Sequence, residues 1–233
     1  MKKCLDSNAV KVIAILAMTI DHKGQRLIGR ITCPIMCYFI AEGYHHTKNI
    51  RKYTFRLFFF AIASHFAYRF SSADFTSWQF FIPFADGDLL NQTSVMWSLA
   101  WGLVMLRVAN SQKIQKEALR TVLILLICLI TLPSDWSCIA SLCILAFGTN
   151  RGHFKMQMLW MLFYVAIYAV VYCLAIDVVY GFLQLGVVLA IPVLLLYNGQ
   201  RGSHKGFNRF MKWLFYLYYP LHLFLIGLLL HGI

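Results

Sequence analysis

Apolar runs follow one another almost end to end along this chain of 233 residues, parted only by short basic or turn-forming stretches. A helix needs about 20 apolar residues to cross the hydrocarbon core. The runs fall at 8–28, 31–46, 53–71, 93–110, 118–133, 136–149, 156–174, 178–197 and 210–231. They predict an all-α fold, a polytopic transmembrane helical bundle of about nine spans, with residues 1–233 forming a single domain. Several runs are short, and the second and sixth are the weakest. Charged residues make up only 13% of the chain, against roughly a quarter in an ordinary soluble domain. That deficit excludes a cytosolic globular fold, a disordered chain and a nucleic-acid module.

The formal net charge of +12 is informative through its placement rather than its size, because Lys and Arg collect in cytoplasmic loops. With the N-terminus inside, 17 of the 21 basic residues fall on the inner side: Lys2, Lys3 and Lys11; Lys48, Arg51, Lys52 and Arg56; Arg107, Lys113, Lys116 and Arg120; Arg151 and Lys155; Arg201, Lys205, Arg209 and Lys212. The outer side receives Lys23, Arg26, Arg30 and Arg69. The chain is therefore read as N-in and C-out in the cytoplasmic (inner) membrane. Membrane lipid is an expected partner and nucleic acid is not. The opening Met1-Lys2-Lys3 followed by an apolar run imitates a signal peptide, but no small-residue cleavage site follows it, so it reads as a retained span. The long outer connection at about 70–92, with Trp78, Phe80, Phe81 and Pro83, reads as an interfacial loop or re-entrant hairpin.

Seven cysteines, an odd number and without a C-x-x-C pair, do not make a disulfide framework. Cys33 and Cys37 share a helical face, but the nearest histidines lie two or more turns further on, so packing is expected of them and no metal. The stretch Gly199-Gln-Arg-Gly-Ser-His-Lys-Gly206 lacks the strand context of a phosphate-binding loop and reads as a basic turn.

Ionisable groups at membrane depth are costly unless they face the bundle interior or a watery cavity, so each is a functional candidate. Asp21 and His22 close the first apolar run, and Arg30 follows eight residues later. By helical rise His22 lies about 21 Å along from Asn8. Glu42 either pairs with Arg30 or Arg56 to tie helices together or belongs to a substrate pocket. His222 follows Tyr218-Tyr219-Pro220-Leu221, where Pro removes a backbone donor and shapes a cavity. His65 and Arg69 stand one turn apart, and Thr93 and Ser94 are expected to cap the next helix.

These residues resemble the TraX family of integral membrane proteins. The resemblance runs through Lys11-Val-Ile-Ala-Ile-Leu-Ala-Met-Thr-Ile-Asp-His22, Gly29-Arg30, Pro34, Phe39-Ile-Ala-Glu-Gly-Tyr44, Thr47-Lys48-Asn49 and Lys52-Tyr-Thr-Phe-Arg-Leu57. The tail Tyr218-Tyr219-Pro220-Leu221-His222 is similar to the family's aromatic-Pro-x-His signature, whereas about 95–200 matches in hydropathy alone. The resemblance implies an acyltransferase related to the wider transmembrane acyltransferase superfamily. Its donor would be acetyl-CoA, and its acceptor a pilin or peptide N-terminus or a saccharide. His22 then maps to the catalytic histidine, a residue type suited to taking the acceptor's proton. Asp21 would orient His22 or pair with Arg30. Arg30, Tyr219 and His222 are interchangeable as stabilisers of the thioester oxygen. Glu42, Tyr219 and His65 are expected at the substrate site, and Lys48, Arg51, Lys52 and Arg56 at the phosphates of coenzyme A. Two other classes compete. A proton-coupled transporter would use Asp21, His22, Glu42 and His222 as an ion path, and a non-catalytic pilus-assembly partner would need no buried His.

Overall fold

The structure, a computed structural model, describes residues 3–21, 26–72, 75, 77–82 and 90–232. Its described residues are helical, with isolated bridges and no strand among them. Helices α1 (Ser7–Asp21), α2 (Arg26–Gly29), α3 (Thr32–His46) and α4 (Ile50–Phe70) are followed by a 3₁₀ turn, Trp78–Phe81. Then come α5 (Val95–Ala109), α6 (Glu117–Thr131), α7 (Ile139–Thr149), α8 (Phe154–Ala175) and α9 (Val178–Gln184). A 3₁₀ stretch, Leu185–Leu189, leads to α10 (Ala190–Leu195), and α11 (Lys205–His231) ends the chain. Among the described residues the predicted runs are helical, within a few residues at their ends, the first divided between α1 and α2 and the run 178–197 interrupted by the 3₁₀ stretch.

Among the described residues three helical stretches are long and apolar enough to cross a membrane: Phe154–Leu174, Val178–Leu195 and Lys205–His231. Ser7–Ile20, Val95–Ala109 and Ile139–Thr149 are apolar but shorter. A 15-residue helix reaches only about 22 Å, less than the ~30 Å hydrocarbon core. Helix α4 has the length, at 21 residues, but carries Arg51, Lys52, Arg56 and Arg69.

The chain packs as two compact units. One holds Met1–Phe39 and Asn150–Phe215, the other Ile40–Thr149 and Tyr216–Ile233. In the first, the entry to α1 is tied down by backbone pairing: Leu5 N–H donates to Leu196 O, Asn198 N–H to Leu5 O and Ser7 N–H to Gln200 O, at 2.9–3.0 Å. Asp6 then satisfies the opening donors of α1, its Oδ1 accepting from Asn8 N–H at 3.0 Å and Ala9 N–H at 2.8 Å. Thr32 at the start of α3 donates its hydroxyl to Ala14 O, 3.1 Å away, so a buried polar side chain is matched to a carbonyl rather than left in apolar surroundings. Helices α8 and α9 meet at Gly181, where a Cβ would come within 2.8 Å of Ala169 O; the approach requires glycine.

In the second unit α5 and α7 pack through small residues. A Cβ on Gly102 would fall 3.0 Å from Ser141 Cα, and the Ser141 hydroxyl donates to Ser98 O at 2.7 Å. Ser98 in turn donates to Ser137 O at 2.6 Å. Serines that look unremarkable in apolar runs thus form the polar seam of this helix pair.

Candidate functional site

The site begins where α1 ends at Asp21 and resumes at α2. His22 lies outside the described residues, and for Asp21 only the backbone is described. Arg30, one residue beyond α2, is half-buried and holds its guanidinium 4.9 Å from the centroid of the Tyr180 ring. That is cation–π range, and the attraction is greatest where water is excluded. Tyr180 is itself positioned from two directions. Its backbone N–H donates to Asp177 Oδ1 at 2.6 Å, which caps α9. Its ring stacks on Tyr172 at 5.5 Å between centroids, inclined by 29°. The Tyr168 hydroxyl donates to the Tyr172 hydroxyl at 2.9 Å, with both side chains buried. A guanidinium, three phenols and a helix-capping carboxylate therefore form one connected group inside the first unit.

Sequence reasoning had selected Arg30 from this group but passed over Tyr168, Tyr172, Asp177 and Tyr180. A signal was present: tyrosines four apart within an apolar helix share a face, and Asp three residues before Tyr180 is a helix-start pattern.

The other expected residues lie in the second unit. His222 Nδ1 is 2.9 Å from Tyr218 O, and since a carbonyl only accepts, Nδ1 is the donor in this contact. The ring stacks on Tyr218 at 5.2 Å and meets the edge of buried Tyr219 at 5.4 Å. Pro220 lies inside α11 and lines an apolar groove of about 620 Å³, with Phe59, Phe66, Trp78, Leu217 and Phe224 among its walls. Glu42, weighed as a partner of Arg30 or Arg56, has its carboxylate 3.2 Å from His46 Nε2, one helical turn along α3. Arg56 is half-buried, its guanidinium 5.3 Å from the Tyr53 ring and 5.2 Å from the Tyr216 ring. Lys48, Arg51 and Lys52 are exposed around the start of α4, where Asn49 caps the helix by accepting from Lys52 N–H. Arg56 is thus distinguished from the three cations it was grouped with.

His65 has both ring nitrogens engaged. Nε2 donates to Phe81 O at 2.9 Å, which leaves Nδ1 to accept from the Thr93 hydroxyl at 3.0 Å. One turn on, buried Arg69 donates from Nε to Phe80 O at 2.6 Å and lays its guanidinium 3.7 Å from the Phe80 ring. The pair holds two successive carbonyls of the 3₁₀ turn, so the described part of the long connection is docked on α4. Thr93 serves this clamp rather than the helix cap expected of it, and Ser94, at the cap position of α5, makes no side-chain cap bond. Cys33 and Cys37 are buried with their sulfurs 3.9 Å apart, within the packing of α3.

The family model described as TraX protein matches residues 6–230. The chain belongs to the TraX family. The match to TraX runs through the middle of the chain, where hydropathy alone had suggested kinship, and so includes Tyr168, Tyr172, Asp177 and Tyr180. This TraX-family protein is also 28% identical, over 254 residues and 97% of each chain, to a Dichelobacter nodosus protein named "Probable fimbrial assembly protein FimC, serogroup H1". No solved structure matches it.

Proposed function

We propose that this TraX-family protein is a membrane-embedded acyltransferase of the cytoplasmic membrane. It moves an acetyl group from acetyl-CoA to an amine or hydroxyl of a membrane-associated or extracytoplasmic acceptor, either a pilin or peptide N-terminus or a glycan. The observation that carries the reading is Arg30 held over Tyr180 by a buried tyrosine group in the unit that also contains the Asp21 end of α1. A cation fixed on an aromatic face in apolar surroundings keeps its charge at full strength. In the reaction His22 removes the proton from the acceptor as its nitrogen or oxygen attacks the thioester carbonyl. Negative charge develops on the carbonyl oxygen, opposite Arg30; the carbon–sulfur bond then breaks and the coenzyme A thiolate leaves, to be protonated by the His22 imidazolium.

The whole chain acts as one domain, with about nine spans and an N-in, C-out orientation. That orientation places Lys48, Arg51 and Lys52 where the phosphates of a cytoplasmic donor arrive. The test is transfer of radiolabelled acetyl by the purified protein in detergent. His22→Ala should lower turnover by about 10²- to 10⁴-fold while retaining the wild-type thermal transition. Full activity in that variant would defeat the reading. A second reading, a non-catalytic partner in fimbrial assembly, is favoured by the printed name of the Dichelobacter relative. It is distinguished by wild-type protein that binds no acetyl-CoA.

A further inference from the structure

One polar side chain in the first unit has no role in the mechanism above. Gln184, the last residue of α9, is 1% exposed, and neither its Nε2 nor its Oε1 has a hydrogen-bond partner among the described residues. Leaving one buried amide donor and one acceptor unmatched is expensive, and the more so in a membrane-embedded helix where bulk water is distant. Sequence alone gives no reason for Gln here: at a purely structural position Leu or Met would fill the same volume without that cost. Gln184 also stands one turn after Tyr180, so the two share a face of α9. That face carries Arg30 through the Tyr180 ring and Tyr172 through stacking. A carboxamide presents a donor and an acceptor side by side, a pattern that a second amide matches with two hydrogen bonds.

We propose that Gln184 recognises an amide of the substrate beside Arg30. The inference rests on the acyltransferase reading, because both reactants of that chemistry carry amides: the pantetheine arm of acetyl-CoA and the backbone of a peptide acceptor. The paired hydrogen bonds form when that amide arrives, and they set the reacting groups in register with Arg30.

The test uses full-length protein in detergent and Gln184→Leu, with Gln184→Asn as the shortened amide. Leu removes an unsatisfied polar group without opening a cavity, so its thermal transition in the absence of ligand should equal or exceed that of wild type. Two pairs of compounds identify the amide. On the donor side N-acetylcysteamine acetyl thioester is compared with the acetyl thioester of mercaptoethanol, which lacks the amide. On the acceptor side a tripeptide is compared with a simple alkylamine. Wild type should favour the amide-bearing member of one pair by at least about tenfold, and Gln184→Leu should lose that preference. The pair affected tells whether the amide belongs to donor or acceptor. A lowered thermal transition in Gln184→Leu overturns the proposal, and so does an unchanged preference in both pairs when wild type transfers acetyl. If wild type binds none of the four compounds, the acyltransferase reading and the proposal fall together.

Discussion

Arg30 and Arg69 are both arginines set against an aromatic ring at the edge of an apolar helix, and they do different work. Arg69 is 4% exposed and held by the carbonyl of Phe80 as well as by its ring, and His65 beside it grips Phe81 O. Their partners are backbone atoms, which cannot leave. Arg30 is half-buried and rests on a ring at 4.9 Å, and that ring depends on a stack and a cap contributed by α8 and α9. Burial with committed hydrogen bonds marks a clamp. A charge oriented by an aromatic face marks a candidate site.

Breaking the clamp should have the larger effect. Arg69→Ala removes a charge-assisted hydrogen bond and a cation–π contact from a buried position, and should cost about 3 kcal/mol of stability. The measurement is detergent-phase thermal or denaturant unfolding, together with faster proteolysis within 70–92. If Arg69→Ala kept wild-type stability and lost transfer selectively, Arg69 would belong with the sites. Tyr180 sharpens the other side. Tyr180→Leu should lower acetyl transfer about tenfold with less than about 1 kcal/mol lost in stability, whereas Tyr180→Phe, which keeps the ring face, should stay close to wild type. Equal losses in Leu and Phe would show that the hydroxyl matters and not the face under Arg30. The smallest effect is expected where charges are exposed. Neutralising Lys48, Arg51 and Lys52 together should change stability by no more than about 0.5 kcal/mol while raising the apparent KM for acetyl-CoA, more strongly at low salt than at high. An unaltered KM at low ionic strength would remove these residues from the donor site.

Much of the fold was legible in the sequence because apolar length and basic punctuation report directly on helices in or near a membrane. The described residues of the apolar runs are helical, and the family emerged from the stretch around Asp21-His22 and from Tyr218 to His222. What was not legible has a physical cause. Thr93 was read as a cap and the grip of His65 on Phe81 O was not foreseen, because a sequence gives residue types and helical phase but not which carbonyl lies opposite. The clamp needs Phe80 and Phe81 brought back onto α4, a contact made through the turn and not through helical periodicity. Tyr168, Tyr172 and Tyr180 were passed over because aromatic residues in an apolar helix satisfy the hydrophobic pattern and raise no alarm until their hydroxyls and faces are seen to meet.

The sequence by itself determined that the chain is helical, membrane-suited and of the TraX family, since these depend on local composition, period and short motifs. Only the tertiary structure decided which polar residues are committed and which are presented. Arg69 and His65 grip the carbonyls of Phe80 and Phe81, Arg30 rests on Tyr180, and Gln184 is buried with its amide unmatched among the described residues. A side chain's type fixes how many hydrogen bonds it can make. Which of them are already made depends on neighbours that lie far away in sequence and are brought near only by packing.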